Sequence, residues 1–263
     1  MSMYGDFAAV YDTFMDNTPY GLWSERLDTL IKKHGVSRPE RDAKDILDSE
    51  RNLVVDLGCG TGTLTELMYE KGYDMIGVDG SEAMLNIAMQ KKEKSGSEIL
   101  YLMQDMRELD LYSTVGTVFS VCDSLNYILE EEELEAVFSL VQNYLFPGGI
   151  LIFDFNTEYK YREVIGNTVI AENREDCSFI WENMYDPEDE INEYDLTLFV
   201  REGDGRFRRF TETHLQRGYT SEQMGRLVEQ AGLRILEMTD ADTGGSLRPE
   251  SERVLVCAVR EPE

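Results

Sequence analysis

Positive charge is scarce in this chain of 263 residues: 25 Lys and Arg stand against 52 Asp and Glu, and the formal net charge is -27 at pH 7. A surface of that sign repels phosphate backbones and anionic lipid headgroups. The charge balance therefore argues against nucleic acid and membrane surfaces as partners. It favours a small substrate that is neutral or cationic.

Cysteine is also rare. The four cysteines lie far apart, at Cys59, Cys122, Cys177 and Cys257, with no CxxC pair and no nearby histidine to complete a zinc site. No apolar run approaches the roughly 20 residues that span a bilayer, and no N-terminal segment resembles a signal peptide. We therefore expect reduced cysteines, no bound metal and a cytoplasmic location.

Apolar residues are sufficient for a folded core, since 42% of the chain is hydrophobic and 10% is aromatic. From residue 52 onward, short apolar runs alternate with segments of helical periodicity. This alternation predicts an α/β fold with a Rossmann-like, doubly wound, mostly parallel sheet. The predicted strands span residues 52–57, 74–79, 99–103, 117–122 and 150–155, and the predicted helices span 20–34, 63–71, 81–94 and 131–146, the last closed by Pro147-Gly148-Gly149.

The pattern changes after residue 155. Four extended stretches separated by turn residues predict an antiparallel β-meander, at 168–172, 178–185, 194–200 and 206–216. Thr220 and Gln223 then form a capping-box pattern that opens a helix, and two further strands bring the main sheet to seven. We expect three segments: an N-terminal helical segment at 1–50, a Rossmann-like domain at 51–156 and 217–263, and the inserted antiparallel sheet at 157–216.

A glycine-rich turn follows the first predicted strand, in the run Asp56-Leu57-Gly58-Cys59-Gly60-Thr61-Gly62. Glycines allow a tight turn and let a ligand approach the backbone closely. Asp79 ends the second strand about 20 residues further on, where a carboxylate can bind both ribose hydroxyls. Nicotinamide, flavin and adenosyl-sulfonium cofactors all use such a turn, although Thr63 stands where the nicotinamide pattern has its third glycine.

These elements, with Gln104-Asp105-Met106 after the third strand, resemble the class I S-adenosylmethionine-dependent methyltransferase family. The resemblance implies that S-adenosylmethionine is the cofactor, with Asp79 on its ribose and Asp105 on its adenine amino group. The alternative for Asp105 is that it only caps a turn. The implied cofactor contacts in this part of the chain are Asp56, Gly58, Gly60, Asp79, Gly80, Met84, Asp105, Met106 and Cys122.

The N-terminal run from Tyr4 to Asp12, with Tyr20 and Trp23, resembles the lid of the small-molecule branch of that family. Tyr11 would cover the cofactor, and Tyr20 and Trp23 would contact it; the alternative is that these aromatic residues pack in the core. The inserted sheet would roof the substrate pocket, as in that branch, where it also contributes to contacts between subunits. The resemblance thus leaves room for a homodimer.

The expected reaction moves a methyl group from the sulfonium to a nitrogen or oxygen of a small acceptor by in-line displacement. His214, Tyr127 and Asn126 are the candidate catalytic residues, with His214 as the candidate base. Each has a structural alternative: a satisfied histidine, a packing ring, and an amide that binds loop backbone. Three other functions stay open at this stage: a nicotinamide-dependent oxidoreductase, a silent cofactor-binding protein and an RNA methyltransferase.

Overall fold

The computed structural model describes residues 8–16, 18–41 and 45–262. The part of the predicted lid from Tyr4 to Phe7 lies outside the described residues. The α-helices are α1 Ala8–Phe14, α2 Tyr20–His34, α3 Ile46–Asn52, α4 Thr63–Glu70, α5 Glu82–Ser95, α6 Glu131–Tyr144 and α7 Ser221–Gln230. The strands are β1 Leu53–Leu57, β2 Asp74–Asp79, β3 Leu100–Met103, β4 Val115–Ser120, β5 Leu145–Asn156, β6 Val169–Asn173, β7 Cys177–Asp186, β8 Ile191–Arg201, β9 Phe207–Arg217, β10 Arg234–Asp240 and β11 Arg253–Val259.

The main sheet has seven strands in the order β10-β11-β5-β4-β1-β2-β3. Strands β1 to β5 pair in parallel, and β11 pairs antiparallel with both β5 and β10. The strand order runs outward from β1 in both directions. Strands β2 and β3 follow on one side, and β4 and β5 follow on the other. This topology confirms the predicted fold, and it opens a crevice at the carboxyl ends of β1 and β4.

Helices cover both faces of this sheet. Val54 and Val55 are both fully buried, but they belong to different apolar clusters because successive side chains of a strand point to opposite faces. Leu27 of α2 packs in the cluster of Val54, and Phe138 of α6 packs in that of Val55. Full burial of each such side chain contributes about 1.5–3 kcal/mol. Because both faces of the sheet are covered, side chains that point to either face are apolar. The strands therefore appear in the sequence as continuous apolar runs.

The inserted segment forms a separate antiparallel sheet in the order β6-β7-β8-β9, as predicted. Its strands alternate between a covered face and an exposed face: His214 and Gln216 are buried, whereas Thr213 and Leu215 are exposed. The chain enters and leaves this sheet side by side, through a parallel bridge between Thr157 and Tyr219. The division of the chain into three domains stays a proposal.

The predicted end of the helix before β5 was wrong in its detail. Pro147-Gly148-Gly149 does not close that helix; α6 ends at Tyr144, and the three residues lie inside β5. Gly148 donates its N–H to the Arg260 carbonyl at 2.9 Å, and Arg260 donates to the Gly149 carbonyl at 2.9 Å. A Cβ at residue 149 would approach the Phe146 carbonyl oxygen to 2.7 Å. Glycine therefore lets the strand bulge here and stay bonded to the chain after β11.

Candidate active site

A cavity of about 930 Å³ lies at the carboxyl ends of β1, β2 and β4, and the covered face of the inserted sheet forms its opposite wall. Small-molecule pockets range over roughly 300–1,000 Å³. A cavity at the top of that range has room for a nucleoside cofactor and a second small molecule together.

The glycine-rich turn forms one wall of the cavity. Gly58 and Cys59 both donate their backbone N–H to the Val78 carbonyl, at 2.8 and 3.0 Å, which ties the turn to β2. Gly60 has φ +54°, and a Cβ built there would meet no described atom within 4 Å. At Gly58, in contrast, a Cβ would lie 2.7 Å from Ser124 Oγ. Gly60 is therefore the position at which the backbone is open to a ligand.

Asp79 lies beside this turn, as the sequence predicted. Its Oδ2 accepts the backbone N–H of Gly60 at 2.7 Å, and its Oδ1 accepts that of Ser81 at 2.8 Å. Burial raises the pKa of this carboxyl. A carboxylate oxygen has two acceptor sites, so each oxygen can still accept a hydroxyl. The arrangement fits the two neighbouring hydroxyls of a ribose.

Asp56 lies at the bottom of the cavity and is only 2% exposed. Thr65 donates its hydroxyl to Asp56 Oδ2 at 2.6 Å. Burial raises the pKa of Asp56 to about 7, the Thr65 hydrogen bond opposes this shift, and the charge of Asp79 adds to it. The carboxyl therefore changes its charge in the neutral range of pH.

Gly80, Met84, Asp105 and Met106 line the part of the cavity beyond Asp79. Asp105 accepts the backbone N–H of Arg107 at 2.9 Å and the Arg107 guanidinium at 2.6 Å, and this guanidinium lowers the Asp105 pKa. The carboxylate therefore caps the 3-10 turn at Met106–Glu108, which is the alternative role given above for Asp105. Its predicted contact with adenine stays a proposal.

Two of the three aromatic residues predicted to contact the cofactor line the cavity, Tyr11 from α1 and Tyr20 from α2. Helix α1 is held over the glycine-rich turn because Asp12 accepts the Thr61 hydroxyl at 2.6 Å. Trp23 does not occur among the described residues that line the cavity; it is 6% exposed and packs between α2 and the sheet. Because its position on α2 faces the core, Trp23 is not among the proposed cofactor contacts.

The end of β4 departs from the predicted strand. The strand ends at Ser120, because Cys122 and Asp123 have φ of +64° and +54°, the left-handed region that side chains seldom adopt. Such residues cost roughly 1–3 kcal/mol each and cluster at functional sites. Cys122 lines the cavity as predicted, and burial raises the pKa of its thiol. The thiol therefore stays protonated at neutral pH, and the predicted contact of Cys122 with the cofactor stays a proposal.

The predicted catalytic role of Asn126 has no support in its surroundings. Asn126 is fully buried, and its Nδ2 donates to the carbonyls of Asn156 at 2.9 Å and Arg217 at 2.7 Å. Its Oδ1 accepts the Asn156 N–H at 2.9 Å. The side chain thus joins the loop after β4 to β5 and β9, and it is not among the described residues that line the cavity.

Tyr127 and His214 do line the cavity, from the 3-10 turn at Ser124–Tyr127 and from β9. Their rings meet edge to face, with centroids 6.0 Å apart. His214 is 4% exposed, and its Nε2 lies 3.3 Å from Glu212 Oε2. The structure therefore brings two of the three predicted catalytic residues together beneath the inserted sheet.

A charged network lies beside Tyr127 and His214, and it was not predicted from the sequence. Arg253 donates to Asp123 Oδ1 at 2.6 Å and to Asp154 Oδ2 at 2.8 Å, and Gln216 Nε2 donates to Asp123 Oδ2 at 3.0 Å. Burial raises the pKa of Asp154, which Arg253 opposes. The members come from β5, β9, β11 and the loop after β4, so no local spacing in the sequence reveals them.

Within the described part of the chain, no three His, Cys, Asp or Glu side chains are grouped so that they could hold a metal ion. None of its helices combines the length and the apolar character needed to cross a membrane.

Comparison with known proteins relates this chain to methyltransferases. Residues 54–149 match the family model described as a methyltransferase domain. A protein of a Geobacillus species that is named as a methyltransferase is 35% identical over 97% of this chain and 98% of its own length. YqeM of Bacillus subtilis, also named as a methyltransferase, is 32% identical over 96% of this chain and 95% of its length.

Solved structures share the fold over nearly the whole chain. An S-adenosylmethionine-dependent methyltransferase of Clostridium acetobutylicum superposes with a TM-score of 0.84 at 28% identity, covering 98% of this chain and 99% of that one. The sugar N-methyltransferase KedS8 of a Streptoalloteichus species has the same fold, with a TM-score of 0.74 at 20% identity, covering 96% and 93%.

The Rossmann-like sheet, its glycine-rich turn and the carboxylate that ends β2 define a nucleotide-cofactor enzyme. The chain belongs to the class I S-adenosylmethionine-dependent methyltransferase family, and S-adenosylmethionine is its cofactor. This decides against the oxidoreductase alternative. The open Cβ direction at Gly60 and the unused acceptor sites of Asp79 fit the cofactor.

Asp79→Ala is expected to weaken cofactor binding by on the order of 1–3 kcal/mol, about ten- to a hundredfold in Kd. The variant removes the ribose acceptors and leaves the Gly60 and Ser81 N–H groups without their carboxylate. Calorimetric titration with S-adenosylhomocysteine measures the change. Asp74→Ala, at the other end of β2, is the matched control and should bind normally. Unchanged affinity in Asp79→Ala would refute the ribose assignment.

Binding of S-adenosylmethionine is expected to release a proton near neutral pH. With a pKa of about 7, Asp56 is largely protonated below that pH in the free protein. A cationic ligand favours the ionised carboxylate, so affinity should rise between about pH 6 and pH 8. Calorimetry in phosphate and in Tris should give different heats at pH 7, because the two buffers take up the proton with different enthalpies. Equal heats in the wild type, or an unchanged difference in Asp56→Asn, would contradict this prediction.

Proposed function

We propose that this enzyme transfers the methyl group of S-adenosylmethionine to an amine nitrogen of a small molecule bound under the inserted sheet, by in-line displacement. The buried ring of His214 in the cavity wall, with Glu212 Oε2 3.3 Å from its Nε2, is the observation that carries the proposal. An alkylammonium must lose a proton before its nitrogen lone pair can attack, and His214 lies in the wall opposite the glycine-rich turn. KedS8, which has the same fold, is named as a sugar N-methyltransferase, and this agrees with a nitrogen acceptor.

The chain's own residues have three tasks in this reaction. The bound cofactor supplies an activated methyl group on a good leaving group, so the protein needs no covalent nucleophile. Asp79 and the glycine-rich turn hold the cofactor, and the inserted sheet holds the acceptor against it and excludes water. Alignment of two bound reactants can recover about 7–11 kcal/mol of the barrier.

His214 has the third task, which is to take the proton of the acceptor. The Glu212 carboxylate, with its Oε2 3.3 Å from Nε2, stabilises by its charge the imidazolium that forms. The edge-to-face contact with Tyr127 holds the ring from a second side. We propose Tyr127 as a residue that positions the base and contacts the acceptor.

Methyl-tritiated cofactor tests the proposal. Separate reactions would contain amino sugars, aliphatic amines, aminobenzoates, phenols and bulk RNA. Label recovered in an amine supports the proposal, and label recovered in a phenol would move the acceptor atom to oxygen. Label recovered only in RNA, or binding of S-adenosylmethionine without transfer to any small molecule, would refute it in favour of an RNA methyltransferase or a silent binding protein. The homodimer and the cytoplasmic location stay predictions.

A further inference from the structure

Lys160 is a cation in the cavity wall that the proposed reaction does not use. It begins the π-helical turn Lys160–Ile165 that follows β5. Its Nζ donates to Asn156 Oδ1 at 2.9 Å, which uses one of the three N–H donors of the ammonium. None of the ion pairs found within the described ranges includes this lysine. Burial lowers its pKa, so its charge is costly where it stands.

Three carboxylates attract the charge of this lysine, those of Asp123, Glu252 and Asp242, and of these only Asp123 is among the described residues that line the cavity. Both oxygens of Asp123 accept hydrogen bonds, from Arg253 and from Gln216. The cavity therefore presents an ammonium whose direct partner is a neutral amide, although the chain as a whole carries a large excess of acid.

Aromatic side chains form the neighbouring wall. The ring of Trp181 meets that of Tyr194 edge to face at 5.0 Å and that of Phe179 at 6.4 Å, and all three line the cavity. Such a wall suits a flat or apolar group, whereas a buried ammonium requires an anion or a strong acceptor to offset its desolvation.

We propose that the acceptor carries an anionic group, a carboxylate or a phosphate, which binds Lys160 while the rest of the acceptor lies against the aromatic wall. The inference deepens the proposed methyl transfer and rests on it for the identification of this half of the cavity with the acceptor. It departs from the neutral or cationic substrate expected from the net charge. Surface charges are screened within about 8 Å at physiological ionic strength, so a contact inside the cavity outweighs them.

Three probes that share a phenyl ring test the proposal: benzoate, phenyl phosphate and neutral benzamide. Their affinities for the complex with S-adenosylhomocysteine are measured by ligand-observed NMR. Wild-type protein should bind at least one anion about tenfold more tightly than benzamide. A preference for benzoate indicates a carboxylate on the acceptor, and a preference for phenyl phosphate indicates a phosphate.

The variant Lys160→Met should lose the preference for the anion, and Lys160→Arg should retain it. Lys94→Met, which removes an exposed lysine of α5, is the matched control and should bind like wild type. Affinity for S-adenosylhomocysteine should be unchanged in all three variants, so loss of the cofactor site is distinguished from loss of the anion site. Equal binding of benzamide and the anions, no binding of either anion, or a preference that survives in Lys160→Met would overturn the proposal.

Discussion

Gly60→Val is expected to lower the affinity for S-adenosylmethionine by about a hundredfold or more, on the order of 3 kcal/mol. A Cβ at this position meets no described atom of the protein, so the branched side chain extends into the space open to the cofactor. The positive φ of Gly60 adds a backbone cost of about 1–2 kcal/mol, which reduces the stability of the turn. Calorimetric titration of the folded variant measures the affinity directly.

Gly96 provides the matched control for this variant. It has φ +70°, and a Cβ there also meets no described atom, but it ends α5 and does not line the cavity. Gly96→Val should therefore show a similar loss of thermal stability with normal cofactor affinity. If Gly60→Val bound the cofactor as tightly as Gly96→Val does, the glycine-rich turn would not be the cofactor site.

His214→Gln is expected to lower kcat by about a hundredfold or more, since a positioned base contributes roughly 10²–10⁴ in rate. Glutamine keeps a polar group of similar reach but cannot take a proton at neutral pH. Because His214 lies opposite the glycine-rich turn, affinity for S-adenosylmethionine should stay within about twofold of wild type. The measurement is the steady-state rate of methylation of the amine that the labelling experiment identifies.

Leu215→Ala is the control for this prediction, because Leu215 is the next residue of β9 and its side chain is exposed on the other face of the sheet. Its kcat should match that of wild type. A His214→Gln enzyme with normal kcat would assign the ring a structural role and would remove the main support for an amine acceptor.

Local signals were sufficient to predict the residues proposed for the cofactor half of the site. The turn at Gly58 and Gly60 and the carboxylate of Asp79 lie at fixed distances from apolar runs, and strand ends in a parallel sheet meet at one edge. Even here the roles of single residues depend on contacts. The amide of Asn126 binds three backbone groups from β5 and β9, and neither strand is close to it in the sequence.

The proposed acceptor half of the cavity could not be predicted in the same way. Asp123, Asp154, Gln216 and Arg253 meet only because β11 inserts between β5 and β10 and because β9 turns its covered face toward the cavity. Trp23 shows the opposite case, in which an aromatic residue of a plausible lid is turned into the core by the periodicity of its helix. Side-chain direction, and not residue type, separates it from Tyr20.

The bridge between Thr157 and Tyr219 brings the two ends of the inserted sheet next to each other. A module attached at one such point can be exchanged without moving the strands that carry the glycine-rich turn. Grafting the segment between these residues from a relative should therefore transfer most of the proposed acceptor wall, His214 and Trp181 included, while Asp56 and Asp79 stay in place. These two residues are therefore suitable junctions for engineering the enzyme to methylate other substrates.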